Sequence, residues 1–213
     1  MKSEELFDQY AEKYDEWYEK NRFAYLSELE AVRSVLPQGK GLEVGVGTSR
    51  FAAPLGTSIG IDPSFRMLKK AAKRGITVIQ ALGEHLPFKE AEFDYVLLIV
   101  TLCFVDNPQA VLAESKRVLK PEGKLIIGIV DKDSFLGKAY QDKDSVFYKM
   151  ARFYSAQEVI ELVAAHNFKE ITTIQTIFSL PENLKEIESI RQGYGEGGFV
   201  VISGIKSSQH QVD

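Results

Sequence analysis

Residues 41–52 read GLEVGVGTSRFA and predict a short buried strand, a glycine turn and the start of a helix. Alternating apolar side chains supply the strand, while Gly45 and Gly47 allow backbone angles and close approaches that a Cβ atom would prevent. The hydroxyl of Thr48 or Ser49 can cap the helix, and free N–H groups at a helix start attract an anionic ligand group. The stretch therefore predicts a backbone cradle for a ligand, with an ordinary strand-turn-helix corner as the plain alternative.

The spacing of the glycines separates two classes of ligand. The dinucleotide fingerprint G-x-G-x-x-G needs a third glycine where this chain has Arg50. The pattern that fits is acid-x-Gly-x-Gly-x-small, with Glu43, Gly45, Gly47 and Ser49. It resembles the first motif of the small, type-11-like class I (Rossmann-like) S-adenosylmethionine-dependent methyltransferases, whose third small position is usually glycine. An NAD-type oxidoreductase is the weaker alternative.

An acid ends the second predicted strand, over residues 57–62, and lies nineteen positions after Glu43. In a βαβ unit this acid, Asp62, lies beside the first glycine turn, where its carboxylate can accept both hydroxyls of a ribose. Pro63 follows in the opening of the next helix, and Met67 falls one turn later, where it can pack on an adenine face. These positions predict the nucleoside side of the site.

A further motif follows the third predicted strand, where residues 82–88 read LGEHLPF. It resembles the family's third motif, whose loop contacts the adenine. Leu82 stands where an aspartate is usual, so the resemblance implies adenine contacts from the backbone N–H groups of Leu82 and Gly83, with Glu84 on the same side. For His85 a solvated surface position is favoured over catalysis.

The apolar run of residues 93–100 predicts a central parallel strand that is buried on both faces. Thr101 follows at its carboxyl end, beside the crevice in which open α/β sheets bind ligands. Cys103 is interpreted as a small hydrophobe rather than a nucleophile. Phe104 stands where relatives often carry histidine, which indicates an apolar acceptor pocket without a base there. Residues 120–123 predict a turn into a strand over 124–130.

The first predicted helix carries aromatic residues at helical spacings of three and four. Such a stripe packs on the core or forms a lid that covers a ligand and excludes water. It is similar to the leading helix of many small methyltransferases of this class, which implies that Tyr14 and Trp17 help to enclose the cofactor. A second helix is expected from about Tyr25 to Leu36, so that residues 1–38 form a helical lid region.

Length and composition predict one domain. The chain has 213 residues, 45% of them hydrophobic, and no Pro/Gly/Ser-rich linker. We expect a methyltransferase domain over residues 1–206, a disordered tail over 207–213, and insertions near the acceptor site at 131–153 and, with a helix-like segment, at 182–198. The first insertion supplies aromatic candidates for the acceptor pocket: Phe135, Tyr140, Phe147, Tyr148 and Phe153.

Charge and cysteine content exclude several function classes. A formal net charge of −4 gives no general affinity for nucleic acid or anionic membranes. The single cysteine excludes an intrachain disulfide, and no apolar run approaches the roughly 20 residues that span a bilayer. The first twenty residues lack the apolar core of a secretory signal. We expect a cytoplasmic protein without a metal site, since no Cys/His/Asp spacing suggests one.

The resemblance covers about residues 7–206 and implies a doubly wound α/β fold: a mostly parallel, seven-stranded sheet with an antiparallel final strand and helices on both faces. It implies an S-adenosylmethionine-dependent methyltransferase that releases S-adenosylhomocysteine, acts on a small-molecule acceptor and needs no dedicated base. Glu43 would lie near the methionine amino group, Gly45 and Gly47 beneath the amino-acid moiety, and Asp62 on the ribose. A catalytically silent S-adenosylmethionine-binding protein is a second alternative. The acceptor, the catalytic residues and the oligomeric state stay open.

Overall fold

An eight-stranded, mostly parallel sheet runs through the computed structural model, which describes residues 3–207. The strands are β1 Gly41–Val44, β2 Ile59–Asp62, β3 Thr77–Gln80, β4 Phe93–Ile99, β5 Leu119–Val130, β6 Phe168–Thr176, β7 Arg191–Gln192 and β8 Phe199–Lys206. Their order across the sheet is β3-β2-β1-β4-β5-β8-β6-β7. Strands β1 to β5 pair in parallel, and β8 lies antiparallel between β5 and β6. The predicted fold is confirmed, and the two-residue β7 adds an eighth strand at the edge.

Helices cover both faces of this sheet. They are α1 Ser3–Lys20, α2 Arg22–Val35, α3 Ala52–Leu55, α4 Phe65–Lys73, α5 Pro108–Val118, α6 Phe135–Asp142, α7 Val146–Met150 and α8 Ala156–Ala165. Local sequence explains several of their starts: the side chains of Ser64, Asn107 and Ser155 each accept a backbone N–H of the helix that follows. None of the helices within residues 3–207 is long and apolar enough to cross a membrane.

The central strand β4 divides the core between the two faces. Val96 and Leu98 pack with the apolar residues of α5 and α8, whereas Tyr95 and Leu97 pack with those of α2 and α6. All four are at most 2% exposed, as the continuous apolar run predicted. This alternation follows from the two-residue period of a strand.

The strand order reverses at β1: β2 and β3 lie on one side of it, and β4 and β5 lie on the other. The residues that follow β1 and β4 are in close contact there. A Cβ atom built on Gly45 would lie 2.4 Å from Cγ2 of Thr101, and the φ angle of Gly45 is +72°. A glycine is therefore required at this junction, which is where open α/β sheets bind their ligands.

Several predicted boundaries differ from the structure. Strand β5 begins at Leu119 rather than at 124, because Leu119 already pairs with Phe93. Continuous pairing with β4 starts at Lys124, so residues 120–123, where the turn was predicted, form an irregularity in the ladder. Helix α2 begins at Arg22, before the predicted Tyr25. The expected helix-like segment in 182–198 is wrong: a 3-10 turn, Pro181–Asn183, and β7 occupy this region. Residues 208–213 of the predicted tail lie outside the described residues.

Candidate active site

Asp62 joins the glycine turn to the end of β2. Its Oδ2 accepts the backbone N–H of Gly47 at 2.9 Å, and its Oδ1 accepts that of Ser64 at 2.8 Å. The residue is 7% exposed, and burial raises the pKa of its carboxyl to about 6 although both N–H bonds lower it. Each carboxylate oxygen has about two lone-pair sites, so each retains capacity to accept one ligand hydroxyl.

Glu43 lies within β1, and its carboxyl points to the start of α3. Its Oε2 accepts the backbone N–H of Ala52 at 2.7 Å, and burial raises the pKa of the side chain to about 8. Neither Glu43 nor Asp62 forms an ion pair within residues 3–207. Buried carboxyls of this kind fit a ligand that brings its own ammonium and hydroxyl donors.

Thr48 and Ser49 were the two candidates for capping the helix after the glycine turn, and Ser49 is the one that bonds to it, although the residue just before α3 is Phe51. Oγ of Ser49 accepts the backbone N–H of Ala53 at 3.1 Å and so supports the start of α3. The hydroxyl of Thr48, the other candidate, instead donates to the carboxylate of Asp15 at 2.7 Å. The reason is tertiary, because α1 lies across the turn and offers a charged acceptor.

Tyr14 encloses the glycine turn from α1. A Cβ atom built on Gly47 would lie 3.6 Å from Oη of Tyr14, and Gly47 has a φ angle of +52°. The Tyr14 and Tyr18 hydroxyls share a hydrogen bond of 2.8 Å. Burial raises the pKa of Tyr14, and the nearby carboxyls of Glu43 and Asp62 raise it further, which keeps the hydroxyl protonated.

Asp15 attaches α1 to the glycine turn and to α4, and its side chain is 14% exposed. Its carboxylate accepts a hydrogen bond from Nε of Arg50 at 2.8 Å and lies 3.3 Å from Lys70 and 3.2 Å from Arg74. Arg50, the residue that breaks the dinucleotide fingerprint, therefore holds the first helix in place. Sequence reasoning missed this pair because its partners are 35 positions apart.

The third-motif loop lies against β1 and α5. A Cβ atom on the buried Gly83 would be 2.9 Å from Cγ1 of Val44. Oε1 of Glu84 accepts the backbone N–H of Asn107 at 3.2 Å, and Leu82 is 50% exposed. Gly83 is thus held beside the strand that carries Glu43, while the Leu82 side chain faces solvent.

Pro63 and Met67 lie where β2 leads into α4. The carbonyl of Pro63 accepts a hydrogen bond from Nε2 of Gln80 at 2.8 Å, and Met67 is 1% exposed. Met67 donates its backbone N–H to the Ser64 side chain at 3.2 Å. Both residues are therefore fixed within two turns of Asp62.

A cavity of about 740 Å³ lies between α1, α2, α6, α7 and the carboxyl ends of β4 and β5. Trp17 lines it, as does Tyr14, which also contacts the glycine turn. This volume suits a small organic ligand. Aromatic side chains dominate the walls: Phe7, Tyr14, Trp17, Tyr18, Phe104, Tyr140, Phe147, Tyr148, Phe153 and Tyr154.

Most of the aromatic candidates from the first insertion line this cavity. Tyr140, Phe147, Tyr148 and Phe153 do so, as does Phe104 from the segment after β4. The candidate Phe135 does not: it starts α6 and is 36% exposed, while the next residue is buried. The prediction that residues 131–153 line the cavity therefore holds for four of the five aromatic candidates. Phe135 was misplaced because it lies on the opposite side of α6 from the buried face.

Glu28 is the buried acidic residue of the cavity, and sequence reasoning missed it. It lies on α2, is 4% exposed, and has no ion pair or side-chain hydrogen bond within residues 3–207. Burial raises the pKa of its carboxyl to about 8. The available signal was its helical phase, because Glu28 is four positions from both Ala24 and Val32, which are buried.

Cys103 also lies on the cavity wall. Its Sγ donates to the carbonyl of Val100 at 3.5 Å, and burial raises the pKa of its thiol to about 12. A thiol with this pKa stays protonated at neutral pH, and the thiolate is the nucleophilic form. The geometry therefore favours a packing role over nucleophilic attack.

Known proteins resemble this chain over most of its length. A family profile described as "Methyltransferase domain" matches residues 42–127. A solved structure from Thermotoga maritima, described as a "SAM-dependent methyltransferase, possible histamine N-methyltransferase", is 48% identical, covers 96% of this chain and 100% of that chain, and superposes with a TM-score of 0.94.

Two curated relatives add detail. A protein from Methanocaldococcus jannaschii, described as uncharacterised, is 53% identical over 203 residues, which cover 94% of this chain and 98% of the relative. A demethylmenaquinone methyltransferase from Tropheryma whipplei is 40% identical over 95 residues, which cover 40% of this chain and 39% of that enzyme. The similarity to the second relative is therefore partial.

Proposed function

Because this chain belongs to the class I S-adenosylmethionine-dependent methyltransferases with the "Methyltransferase domain", we propose that it methylates a small molecule held in the aromatic cavity. The chain is an enzyme of this kind, and S-adenosylmethionine is its cofactor. The alternatives of an NAD-type oxidoreductase and of a silent binding protein are set aside, since the family is a methyltransferase family.

One observation carries the proposal: Tyr14 contacts both the glycine turn and the aromatic cavity. It lies against Gly47 of the glycine turn, and it also lines the cavity. A cofactor on the turn and an acceptor in the cavity would thus both lie beside Tyr14 and next to each other. This adjacency supports direct methyl transfer between the two.

We assign the cofactor contacts from the donors and acceptors at the turn. Asp62 accepts the two ribose hydroxyls, Glu43 binds the methionine ammonium, and the backbone at Gly45 and Gly47 passes beneath the amino-acid moiety. Two observations support this assignment. Thr101 and Tyr14 lie close to the two glycines, and Glu43 and Asp62 are buried carboxyls without an ion-pair partner among the described residues. The remaining candidates are assigned to contact the adenine side of the cofactor or to enclose it: Pro63, Met67, Leu82, Gly83, Glu84, Thr101, Tyr14 and Trp17.

The bound cofactor supplies an electrophilic methyl group on a sulfonium sulfur. The protein's part is to hold the acceptor in line and to exclude water, and positioning of this kind contributes about 7 to 11 kcal/mol to rate enhancement. The aromatic walls and α1, which Asp15 and Arg50 attach to the turn, are suited to that task. No dedicated base is assigned, and Cys103 is held protonated and therefore does not serve as one.

The regional roles predicted from the sequence remain proposals. Residues 1–38 and 131–153 supply most of the cavity walls, while the segment 182–198 contributes only Glu182 at the rim. The relative from Thermotoga maritima is named for a small amine, which supports a small-molecule acceptor here. We propose a cytoplasmic location on the sequence grounds given above.

Thermal unfolding with S-adenosylhomocysteine or NAD, followed by a turnover assay, tests the proposal. At 100 times its dissociation constant a ligand adds about 2.7 kcal/mol, which raises the melting temperature of such a chain by roughly 5 to 11 °C. We expect this shift with S-adenosylhomocysteine and none with NAD. S-adenosylhomocysteine formation should then depend on small molecules, histamine among them; methylation of only protein or nucleic acid would contradict the proposal.

A further inference from the structure

Two polar groups on the cavity wall have no hydrogen-bond or ion-pair partner among residues 3–207. Glu28 is 4% exposed and Tyr140 is 7% exposed, and both line the cavity. Oη of Tyr140 forms no hydrogen bond within the described residues, although the polar atoms of Trp17 and Tyr148 are near enough to influence its pKa. The Glu28 carboxyl has no ion pair or hydrogen bond there. Buried polar groups in native proteins are nearly always paired, so unpaired groups on a cavity wall point to a ligand that pairs with them.

We infer that the acceptor carries a protonated amine and that the Glu28 carboxylate pairs with it inside the cavity. The inference rests on the proposed function, because it names the substrate class of the same cavity. The Tyr140 hydroxyl is placed to accept a second hydrogen bond from such a ligand. Glu28 is here a specificity residue, and the atom that receives the methyl group is left open.

Aromatic walls favour a cation over a neutral or anionic ligand. Trp17 and Tyr18 line the cavity from α1, and Tyr140 and Tyr148 line it from α6 and α7 with their rings stacked at 4.3 Å. Aromatic rings attract cations electrostatically, most strongly where water is excluded. An anion would meet the negative faces of the aromatic rings and would gain no opposite charge from Glu28, and a purely apolar acceptor would leave the Glu28 carboxyl buried and unpaired.

Other charges on the cavity do not alter this balance. Three lysines and three acids line the cavity as well, and all six are exposed, so their charges cancel and are screened by solvent. They are Lys13, Lys20, Lys143, Glu16, Asp144 and Glu182. The titratable groups that act on or near Glu28 from the packed helices are the hydroxyls of Tyr18, Tyr25, Tyr140 and Tyr148. Glu28 is therefore the charge-bearing residue that the described cavity walls bury.

Protons must balance when the amine binds. Burial raises the pKa of Glu28 to about 8, so the carboxyl is mostly protonated in the free protein at pH 7. Pairing with an ammonium requires the carboxylate, and the proton of Glu28 passes to the buffer. Amine binding should release close to one proton, whereas a neutral analogue should release none.

Calorimetric titration of the S-adenosylhomocysteine complex at pH 7 tests the inference. The probes are tyramine, tryptamine and phenethylamine, each beside its matched alcohol. We expect at least one amine to bind tenfold or more tightly than its alcohol, with proton release seen as a dependence on buffer ionisation enthalpy. Glu28→Gln should reduce that preference to about twofold and abolish the proton release.

Glu30→Gln is the matched control, since Glu30 lies on the same helix, is about half exposed and pairs with Arg33. It should keep the amine preference. If S-adenosylhomocysteine binds but no amine exceeds its alcohol, or if Glu28→Gln keeps the preference, the inference is overturned. If S-adenosylhomocysteine itself fails to bind the folded protein, the proposed function fails instead. Melting temperatures no lower than that of the wild type separate these outcomes from misfolding. Glu28→Gln should melt higher at pH 7, because its unfolded state no longer gains stability by ionising a carboxyl.

Discussion

The glycine turn and the aromatic cavity lie side by side, and each contains a buried carboxyl, but the two carboxyls differ in their hydrogen bonds. Asp62 accepts backbone N–H groups from Gly47 and Ser64, whereas Glu28 accepts none within the described residues. Burial raises the pKa of both, to about 6 for Asp62 and about 8 for Glu28. Main-chain donors thus prepare one region for a fixed ligand, while the other is built from side chains that can change with the acceptor.

Helix α1 connects the two regions. Asp15 holds it to the glycine turn through Arg50, Trp17 lines the cavity, and Tyr14 contacts both. Changes in α1 should therefore affect both regions, whereas changes in Asp62 or Glu28 should affect one.

The largest expected effect is on the pH dependence of stability through Glu28. Its folded pKa of about 8 lies above the ordinary 4.5, so the native state holds a proton that the unfolded state has lost. The free energy of unfolding should fall as pH rises from about 4.5 to about 8, by on the order of 3 kcal/mol between pH 5 and 8. Glu28→Gln should lack this contribution in denaturant titrations. Glu43 contributes in the same direction in both proteins, and Glu30→Gln should match the wild type.

Asp62→Ala tests the glycine-turn side. The substitution removes the acceptor assigned to two ribose hydroxyls, and hydrogen bonds to a charged group contribute about 1.5 to 3 kcal/mol each. Affinity for S-adenosylhomocysteine should fall by about 100-fold in calorimetry. Amine binding to the cavity should change much less. Near wild-type cofactor affinity in a folded Asp62→Ala protein would contradict the assignment.

Asp15→Asn tests the attachment of α1. The pKa of Asp15 lies below its ordinary value, because hydrogen bonds from Thr48 and Arg50 outweigh the opposing effect of burial. Its stabilising contribution should therefore be present above about pH 4 and be lost below it. We expect Asp15→Asn to lower the free energy of unfolding by about 1 to 2 kcal/mol at pH 7.

The matched control for Asp15 is Glu19→Gln, whose carboxylate also pairs with Arg50 but is 72% exposed. It should cost less than about 0.5 kcal/mol. Equal losses in the two variants would show that the burial of Asp15 adds nothing to the attachment. Affinities for S-adenosylhomocysteine and for the amine should both weaken only in Asp15→Asn.

The smallest effect concerns Cys103. Its pKa of about 12 predicts labelling by a thiol reagent about tenfold or more slowly than a free cysteine at pH 8. Cys103→Ala should leave S-adenosylhomocysteine binding unchanged. Fast labelling of the folded wild-type protein, or loss of turnover in the folded Cys103→Ala variant, would make the thiol a candidate nucleophile.

Short-range patterns account for what the sequence predicted correctly. The glycine turn, Asp62 at the end of β2, and the caps at Ser64, Asn107 and Ser155 depend on residues a few positions apart or on one βαβ unit. The buried strand β4 was readable from its apolar run alone. These features also define most of the assigned cofactor contacts.

Long-range contacts account for what was missed. Arg50 pairs with Asp15 across 35 positions, and Glu28 on α2 is buried at a cavity that residues of α1, α6 and α7 also line. Phe135 was misplaced because composition does not determine helical phase in a short insertion. The strand β7 has only two residues, too few for any periodicity. The acceptor cavity is thus a product of tertiary packing.

A crystal structure of the protein with S-adenosylhomocysteine and the preferred amine tests the account most directly. The account predicts the ribose hydroxyls within about 3 Å of the Asp62 carboxylate and the amine nitrogen within about 3 Å of the Glu28 carboxylate, with both ligands in contact with Tyr14. A nucleoside seated in the aromatic cavity, or an amine bound outside that cavity, would contradict it.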